Sequence, residues 1–176
     1  MKNLLLALIF FLSVPAIQAE TMIAGVEVPL SYSFTSADDG GSLEADGAPS
    51  GIIGYVGFPV IGTFGIESYV ISLTDNDSAE IETQMLDYMY TFLLPFLDIS
   101  LGVGGGVGQT QVTGDDGSDF STATSSQLFF KLGIPVWGVV QLRYTLANIN
   151  AQIENTDGDF LEAGGIMSSF GVAVGF

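Results

Sequence analysis

The stretch Gly165-Ile-Met-Ser-Ser-Phe170-Gly-Val-Ala-Val-Gly-Phe176 decides the fold. Bulky apolar residues alternate in it with smaller ones, and a period of two is typical of a β-strand with one apolar face. A soluble protein would turn such a face onto a core, whereas this chain ends on it with an aromatic residue. The apolar positions of the stretch are Ile166, Phe170, Val172, Val174 and Phe176.

The composition is apolar and strongly acidic at the same time. The 176 residues include 20 acidic and 3 basic ones, give a net charge of -17, and are 48% apolar. After the N-terminal segment, no apolar run approaches the roughly 20 residues of a membrane-spanning helix, so we expect the apolar residues in strands. The net charge argues against binding nucleic acid. The chain also lacks cysteine, which excludes disulfides and thiol chemistry.

The N-terminus has the pattern of a cleavable secretory signal. A short start with Lys2 precedes the apolar run 4–14, and small residues follow at Ala16 and Ala19. We expect cleavage after Ala19, with Ala16 as the alternative site. A retained anchor helix is a weaker interpretation because the apolar run is short. The predicted organisation is a signal peptide at 1–19 and one β-domain at 20–176.

Apolar alternating segments follow one another along the rest of the chain, joined by two kinds of connection. The first, third, fifth and seventh connections are long and polar, whereas the second, fourth and sixth are short and contain proline. This alternation predicts an all-β fold, an eight-stranded antiparallel up-and-down transmembrane β-barrel. The predicted strands are 22–34, 51–58, 62–73, 85–94, 98–109, 124–133, 138–150 and 164–176.

The two faces of the predicted strands differ in polarity. One face is bulky and apolar, as at Val26, Val28, Leu30, Tyr32 and Phe34 in the first strand. We expect this face to contact lipid and the other to line the interior, whereas a soluble lipocalin-like barrel would reverse the two. Among the aromatic residues, Tyr32, Phe34 and Tyr88 are expected near the outer membrane interface, and Phe58, Phe96, Trp137 and Phe176 near the periplasmic one.

Both basic residues of the predicted mature chain fall on the inward face, where surface solvation does not explain them. We predict that they form an ion-pair cluster that plugs the barrel, with Arg143 and Glu67 as one expected pair. The alternative is a hydrated lumen in which each charge is solvated separately. Inward glycines in 102–108 are expected to make room for long side chains from the opposite wall. The predicted cluster comprises Glu27, Glu67, Asp87, Lys131 and Arg143.

Most of the acidic residues lie in the long connections. Clustered carboxylate oxygens suit hard cations, so weak and shared binding of Ca²⁺ or Mg²⁺ is one hypothesis for these loops. The alternative is that the acids only confer solubility. The candidate cation ligands are Asp38, Asp39, Asp75, Asp77, Asp115, Asp116, Asp157 and Asp159.

With its signal segment, its eight-strand pattern and the ending Gly171-Val-Ala-Val-Gly-Phe176, the chain resembles the small eight-stranded outer-membrane proteins, the class of the OmpA transmembrane domain and of OmpX-like and OmpW-like proteins. The resemblance implies a monomer in the outer membrane of a Gram-negative bacterium, in contact with lipid and lipopolysaccharide, with loops outside the cell. It also implies an assembly signal for the barrel-assembly machinery at Phe170, Val172, Val174 and Phe176.

Three functions remain open for such a barrel. The first is a structural or surface-interaction role, and the second is an adhesin or receptor that acts through the loops. The third is a narrow channel for small, apolar molecules, which would be lined by residues such as Tyr55, Tyr69, Met89 and Phe129. Catalysis is not expected, since lipid-modifying barrels of this kind use histidine and the chain has none. No cofactor is expected either.

Overall fold

The computed structural model describes residues 22–35, 43–74, 76–94, 99–114 and 120–176, with no side-chain detail at 76–78. The predicted signal peptide lies outside these ranges. Within them no helix is long and apolar enough to cross a membrane. The strands of the described ranges are β1 (Ile23–Phe34), β2 (Ser50–Phe58), β3 (Gly62–Leu73), β4 (Asn76–Leu94), β5 (Ile99–Gly114), β6 (Ala123–Trp137), β7 (Val140–Glu154), β8 (Phe160–Glu162) and β9 (Gly165–Gly175).

Eight of these strands close into a barrel. Each strand from β1 to β7 pairs antiparallel with its neighbour in sequence, and β9 pairs with both β7 and β1. The short strand β8 pairs only with β7, just beyond the end of β9. The predicted all-β fold, an eight-stranded antiparallel closed barrel, is therefore confirmed.

Several strands extend further than the sequence pattern predicts. β4 begins at Asn76 rather than near 85, β5 continues to Gly114, and β7 continues to Glu154. Glu80 and Glu82 are therefore strand residues and not loop residues. Acidic residues on the outer face hid the alternation with buried residues such as Ile81. The last short turn lies at 138–139, because β6 runs through the predicted proline turn to Trp137.

One end of the barrel, called here the belt half, carries an apolar outer face. It contains the described short turns at 59–61 and 138–139 and the described ends near Met22 and Phe176. Its large apolar side chains point away from the interior and remain exposed, which is the pattern of a surface that faces lipid. The belt includes Val26, Val28, Leu30, Ile52, Phe64, Ile66, Leu86, Val103, Val107, Leu128, Phe130, Tyr144, Leu146, Phe170, Val172 and Val174.

The other end, called here the loop half, reverses this pattern. It carries the long connections, and its outer face is mostly polar although the strands continue without interruption. Its interior is an apolar core that includes Tyr69, Ile71, Ile81, Ala151 and Ile153. The outward polar positions are Ser31, Ser33, Ser68, Ser72, Glu80, Glu82, Gln84, Gln109, Thr124, Ser126, Asn148, Asn150, Gln152 and Glu154.

A bulge in β1 shifts which residues face inward. The register of β1 against β9 shifts between Pro29 and Ser31, so residues beyond the bulge change face. Tyr32 is consequently buried, and its hydroxyl donates a hydrogen bond to the backbone oxygen of Ala163 at 2.8 Å. The expectation that Tyr32 faces outward was wrong, because sequence alternation alone does not reveal an inserted residue.

The depth predicted for Tyr88 was also wrong. Tyr88 pairs with Phe64, and its hydroxyl donates to the backbone oxygen of Ile61, which lies in the short turn between β2 and β3. It therefore lies toward the turns of the belt half rather than toward the loops. Exposed aromatic residues near these turns form a band with it: Phe58, Tyr90, Phe92, Trp137 and Phe176.

The seam between β1 and β2 is the shortest ladder of the barrel wall. It pairs Ile23 through Glu27 with Gly57 through Ile53 and stops there, a total of five residue pairs. On its other side β1 makes eleven pairs with β9. The next residue of β1 that would bond toward β2 is Pro29, which has no backbone N–H. The ladder therefore ends where the sequence removes a donor.

Candidate functional site

The five charged residues singled out from the sequence all lie inside the barrel. Glu27 is on β1, Glu67 on β3, Asp87 on β4, Lys131 on β6 and Arg143 on β7, and each is at least 91% buried. All lie in the belt half or at its border with the loop half. Charged groups are thus enclosed where the outer face is apolar, and the apolar core begins where the outer face becomes polar.

One ion pair joins two strands that are far apart in the sequence, β1 and β6. Lys131 Nζ lies 2.5 Å from Glu27 Oε1. The other carboxylate oxygen of Glu27 accepts hydrogen bonds from the hydroxyls of Thr145 at 2.6 Å and Ser169 at 2.8 Å. Three donors therefore compensate the burial of this carboxylate. Thr145 and Ser169 were not recognised from the sequence, because their only signal was an inward position.

Aromatic rings surround the ammonium group of the same pair. Lys131 Nζ lies 4.1 Å from the centre of the Tyr55 ring and 5.9 Å from that of Phe129. The faces of both rings attract a cation at these distances. The Phe129 ring occupies the space beside Gly104 on the adjacent strand, where any side chain would collide with it. Inward glycines thus make room for side chains of the neighbouring strand, not of the opposite wall.

A second polar group surrounds Asp87. Gln127 Nε2 donates to Asp87 Oδ1 at 2.8 Å, and Glu67 lies close enough to interact with both residues. Gly106 on β5 is paired with Asp87 on β4, and it has no side chain that would displace these groups. The two carboxyl groups are neighbours, and the only ion pair found among the described residues is the one between Lys131 and Glu27.

Arg143 does not form the pair expected with Glu67. No carboxylate of the described ranges lies within 4.0 Å of its guanidinium, and two of its nitrogens, Nε and Nη1, have no hydrogen-bond partner. The guanidinium carbon lies 6.0 Å from the centre of the Tyr55 ring. The expected pair was wrong because strand stagger in a barrel sets which inward residues meet, and the sequence does not give the stagger.

The interior leaves little free space near this cluster. A cavity of about 10 Å³ is lined by residues that include Tyr55, Asp87 and Lys131. One water molecule would fill a volume of this size. The residues proposed as a channel lining, Tyr55, Tyr69, Met89 and Phe129, are each at least 94% buried. They pack inside the barrel and do not border an open passage there.

The four residues predicted as an assembly signal lie on the outer face at the belt end of β9. Phe170, Val172, Val174 and Phe176 are all exposed there. The backbone of Phe176 exchanges two hydrogen bonds of 2.9 Å with Met22. The apolar row therefore runs along the strand that closes the barrel against β1.

The predicted cation ligands are only partly described. Asp157 and Asp159 lie in the turn after β7, where both backbone amides donate to Asn155 Oδ1 at 2.9 Å. Within the described ranges, no three acidic side chains group closely enough to hold a metal ion. Asp77 belongs to β4, but its side chain is not described, and the other candidates, Asp38, Asp39, Asp75, Asp115 and Asp116, lie outside the described residues.

A closed eight-stranded barrel with an apolar belt and an enclosed polar cluster defines the class of small outer-membrane β-barrels. The comparisons with solved structures agree with this fold. The crystal structure of Neisserial surface protein A matches with a TM-score of 0.60 at 13% identity, covering 89% of this chain and 97% of that one.

Two further structures have the same fold. The solution structure of the E. coli outer membrane protein W gives a TM-score of 0.55 at 10% identity, covering 89% of this chain and 97% of that one. The crystal structure of the outer membrane protein OprG from Pseudomonas aeruginosa gives 0.50 at 11% identity, covering 88% and 94%. No family model and no curated protein matches the chain. These likenesses give the fold, and the apolar belt is the pattern of a barrel surface that faces lipid.

Proposed function

We propose that the protein is a non-enzymatic outer-membrane barrel with a structural or surface-interaction role and a plugged interior. The observation that carries the proposal is the contrast between the two halves of the molecule. The belt half encloses a hydrogen-bonded ion pair and fits a bilayer, whereas the loop half has the apolar core of a water-exposed β-structure. The loops are therefore held on a packed support that stands beyond the lipid.

The orientation in the outer membrane follows from the connections. In this proposal the short turns face the periplasm and the long acidic connections face the outside of the cell. The acidic side chains exposed on the loop half, such as Glu80 and Glu154, then lie in water or among lipopolysaccharide head groups.

Conductance in planar bilayers tests the plug. Because the described interior is packed around Glu27 and Lys131, the wild-type barrel is expected to pass little current. The control is a known open porin inserted under the same conditions. Long-lived open-channel conductance of the wild type would instead support the alternative of a narrow channel for small molecules.

A role as an adhesin or receptor is the second candidate, and the packed apolar core of the loop half favours it. The turn 155–159 connects β7 to β8 and is held by a backbone hydrogen bond of 2.9 Å from Asn155 to the oxygen of Asp159. Replacing 155–159 by a two-residue Asn-Gly turn should keep the barrel closed, because this dipeptide favours a tight hairpin. Loss of cell attachment with unchanged heat-modifiable gel migration would support this role. Unchanged attachment after all four loops are shortened would exclude it.

Lipid, lipopolysaccharide and divalent cations are the proposed partners of the outer surface. Ca²⁺ or Mg²⁺ held weakly by the loop acids would bridge them to anionic lipopolysaccharide, because no lysine or arginine is exposed on the described outer surface. Calorimetry at millimolar Ca²⁺ should detect binding that is weakened by the double change Asp157→Asn and Asp159→Asn. An absence of heat in the wild type would contradict the cation bridge.

The closing strand β9 is the proposed contact with the barrel-assembly machinery, and the assembled protein is proposed to be a monomer. Removing Phe176 should reduce insertion in cells more than refolding in detergent, because recognition of the strand precedes its pairing. The matched change Trp137→Ala removes another exposed aromatic residue from the same end of the barrel and should not reduce insertion. Equal defects in both variants would argue against a specific signal.

A further inference from the structure

The inner faces of β3 to β6 bring oxygen-bearing side chains together at the border between the two halves. The strand register places Glu67, Met85, Gly108 and Ser125 on one level. It places Gly65, Asp87, Gly106 and Gln127 on the next level toward the turns. On the second level only Gly106 stands between Asp87 and Gln127, so no side chain separates these two. On the first level Met85 and Gly108 stand between Glu67 and Ser125.

Three of these side chains carry buried oxygen atoms without a hydrogen-bond partner. They are Oε2 of Glu67, Oε1 of Gln127 and the hydroxyl of Ser125. All three residues are at least 95% buried. Buried polar atoms are nearly always satisfied in folded proteins, so acceptors grouped in this way indicate a ligand that is itself positively charged or a donor. One carboxylate, one amide oxygen and one hydroxyl are involved, so the group is more than a cluster of acids.

The charge balance of the interior points the same way. Three buried carboxylates, Glu27, Glu67 and Asp87, face two buried basic residues, Lys131 and Arg143, which leaves a net charge of -1 in the described interior. Lys131 pairs with Glu27, and Arg143 lies beyond 4.0 Å from every described carboxylate. The neighbouring pair Glu67 and Asp87 therefore has no basic side chain within 4.0 Å, and the excess negative charge of the described interior lies there.

We propose that the barrel binds one monovalent metal cation, with Na⁺ as the fitting ion, between Glu67, Asp87 and the amide oxygen of Gln127. Oxygen ligands suit hard cations. One positive charge neutralises the described interior, whereas a divalent ion would leave it with a net positive charge. The unpartnered Ser125 hydroxyl is the next inward oxygen along β6 from Gln127. This site is independent of the cations proposed at the loops and of the proposed function.

Unfolding of the refolded wild-type barrel in detergent tests the site directly. Unfolding midpoints are compared in NaCl, KCl and choline chloride at one ionic strength. A ligand that binds only the folded state stabilises it increasingly with concentration. We expect a higher midpoint in Na⁺ than in choline, and a dependence on log[Na⁺] that corresponds to one ion per barrel. Equal midpoints in all three salts would overturn the proposal.

Substitutions test whether the difference in unfolding midpoint between Na⁺ and choline arises at the proposed site. Glu67→Gln keeps the shape of the side chain and should abolish the difference between Na⁺ and choline, and Gln127→Met should reduce it. The matched control Glu154→Gln removes a carboxylate from the exposed outer face and should retain the full difference. If Glu67→Gln and Glu154→Gln both retain it, the ion binds elsewhere and the proposal fails.

A shared proton between Glu67 and Asp87 is the competing explanation. A shared proton would compensate one negative charge but would give a hydrogen bond to only one oxygen atom, whereas a metal ion contacts several oxygen atoms at once. It predicts midpoints that depend on pH in choline, no difference between Na⁺ and choline at any pH, and loss of the pH dependence in Glu67→Gln. That combined result would show that a proton, and not a metal ion, compensates the charge of Glu67 and Asp87, and the proposal would fail.

Discussion

The belt half and the loop half are built from the same strands but place polar and apolar residues on opposite sides. On β6, Leu128 and Phe130 face outward in the belt half, whereas Thr124 and Ser126 face outward in the loop half. The inward side changes in the other direction, from the charged Lys131 in the belt half to the apolar Ala123 in the loop half. The solvent outside each half decides its pattern, since lipid accepts apolar side chains and water accepts polar ones.

The largest expected effect comes from the ion pair inside the belt half. Lys131→Met removes the ammonium and leaves the Glu27 carboxylate buried with only two hydroxyl donors. We expect the free energy of unfolding in lipid vesicles to fall by about 3–5 kcal/mol. The double variant with Glu27→Gln should recover part of the loss, because the stranded charge is then absent. A double variant as unstable as Lys131→Met would show that the pair is not coupled.

The outer faces of the two halves should differ in how much stability they lose when one charge is added. Phe130→Arg places a guanidinium against lipid and should lower the free energy of unfolding by about 2–4 kcal/mol. Thr124→Arg makes the same addition on the same strand and face, but in the loop half, and should have little effect. Urea titrations of both variants in the same vesicles give the comparison. Similar losses at both positions would mean that the lipid boundary is not where the outer face changes polarity.

The core of the loop half and the outer face of the belt half should differ in their response to a lost methyl group. Ile81 is fully buried in the loop half, so Ile81→Val should reduce the free energy of unfolding by about 0.5–1.5 kcal/mol. Ile66→Val removes the same group from the outer face of the belt, where lipid replaces the contact. This control should lose less. A larger loss at Ile66 would contradict the assignment of a packed core to the loop half.

The smallest effect is expected at Arg143, in contrast to Lys131. Because Arg143 has no carboxylate partner within 4.0 Å among the described residues, Arg143→Met breaks no ion pair. We expect the free energy of unfolding to stay unchanged or to rise by about 1 kcal/mol, since an apolar side chain replaces a buried guanidinium. A loss as large as that of Lys131→Met would show that Arg143 has a partner in the membrane-inserted protein.

Alternation in the sequence was sufficient for the strand count and for most inward and outward assignments. It failed where a residue is inserted, as at the bulge after Pro29 that turns Tyr32 inward. It also failed where the solvent outside the strand changes, since Glu80 and Glu82 look like loop residues until the buried Ile81 between them is known. Both failures concern the tertiary setting of a strand and not its local preference.

The candidate cluster shows the same limit. The sequence pointed to the five charged residues because their inward positions were unusual for charges. It could not choose between Arg143 with Glu67 and Lys131 with Glu27, since the choice depends on how far each strand is displaced along its neighbour. The hydroxyls of Thr145 and Ser169 carry no distinctive pattern at all.

The short ladder between β1 and β2 gives the barrel wall a weakest joint. Local opening of the wall begins where the fewest hydrogen bonds must break. That place is the ladder of five pairs from Ile23 to Glu27, and not the ladder of eleven pairs on the other side of β1. When that ladder opens, β1 stays paired with β9, and the first and last strands of the wall move together as one antiparallel pair. The amide hydrogens on the edges of β1 and β2 that face each other would then exchange sooner than those of any other described ladder of the wall.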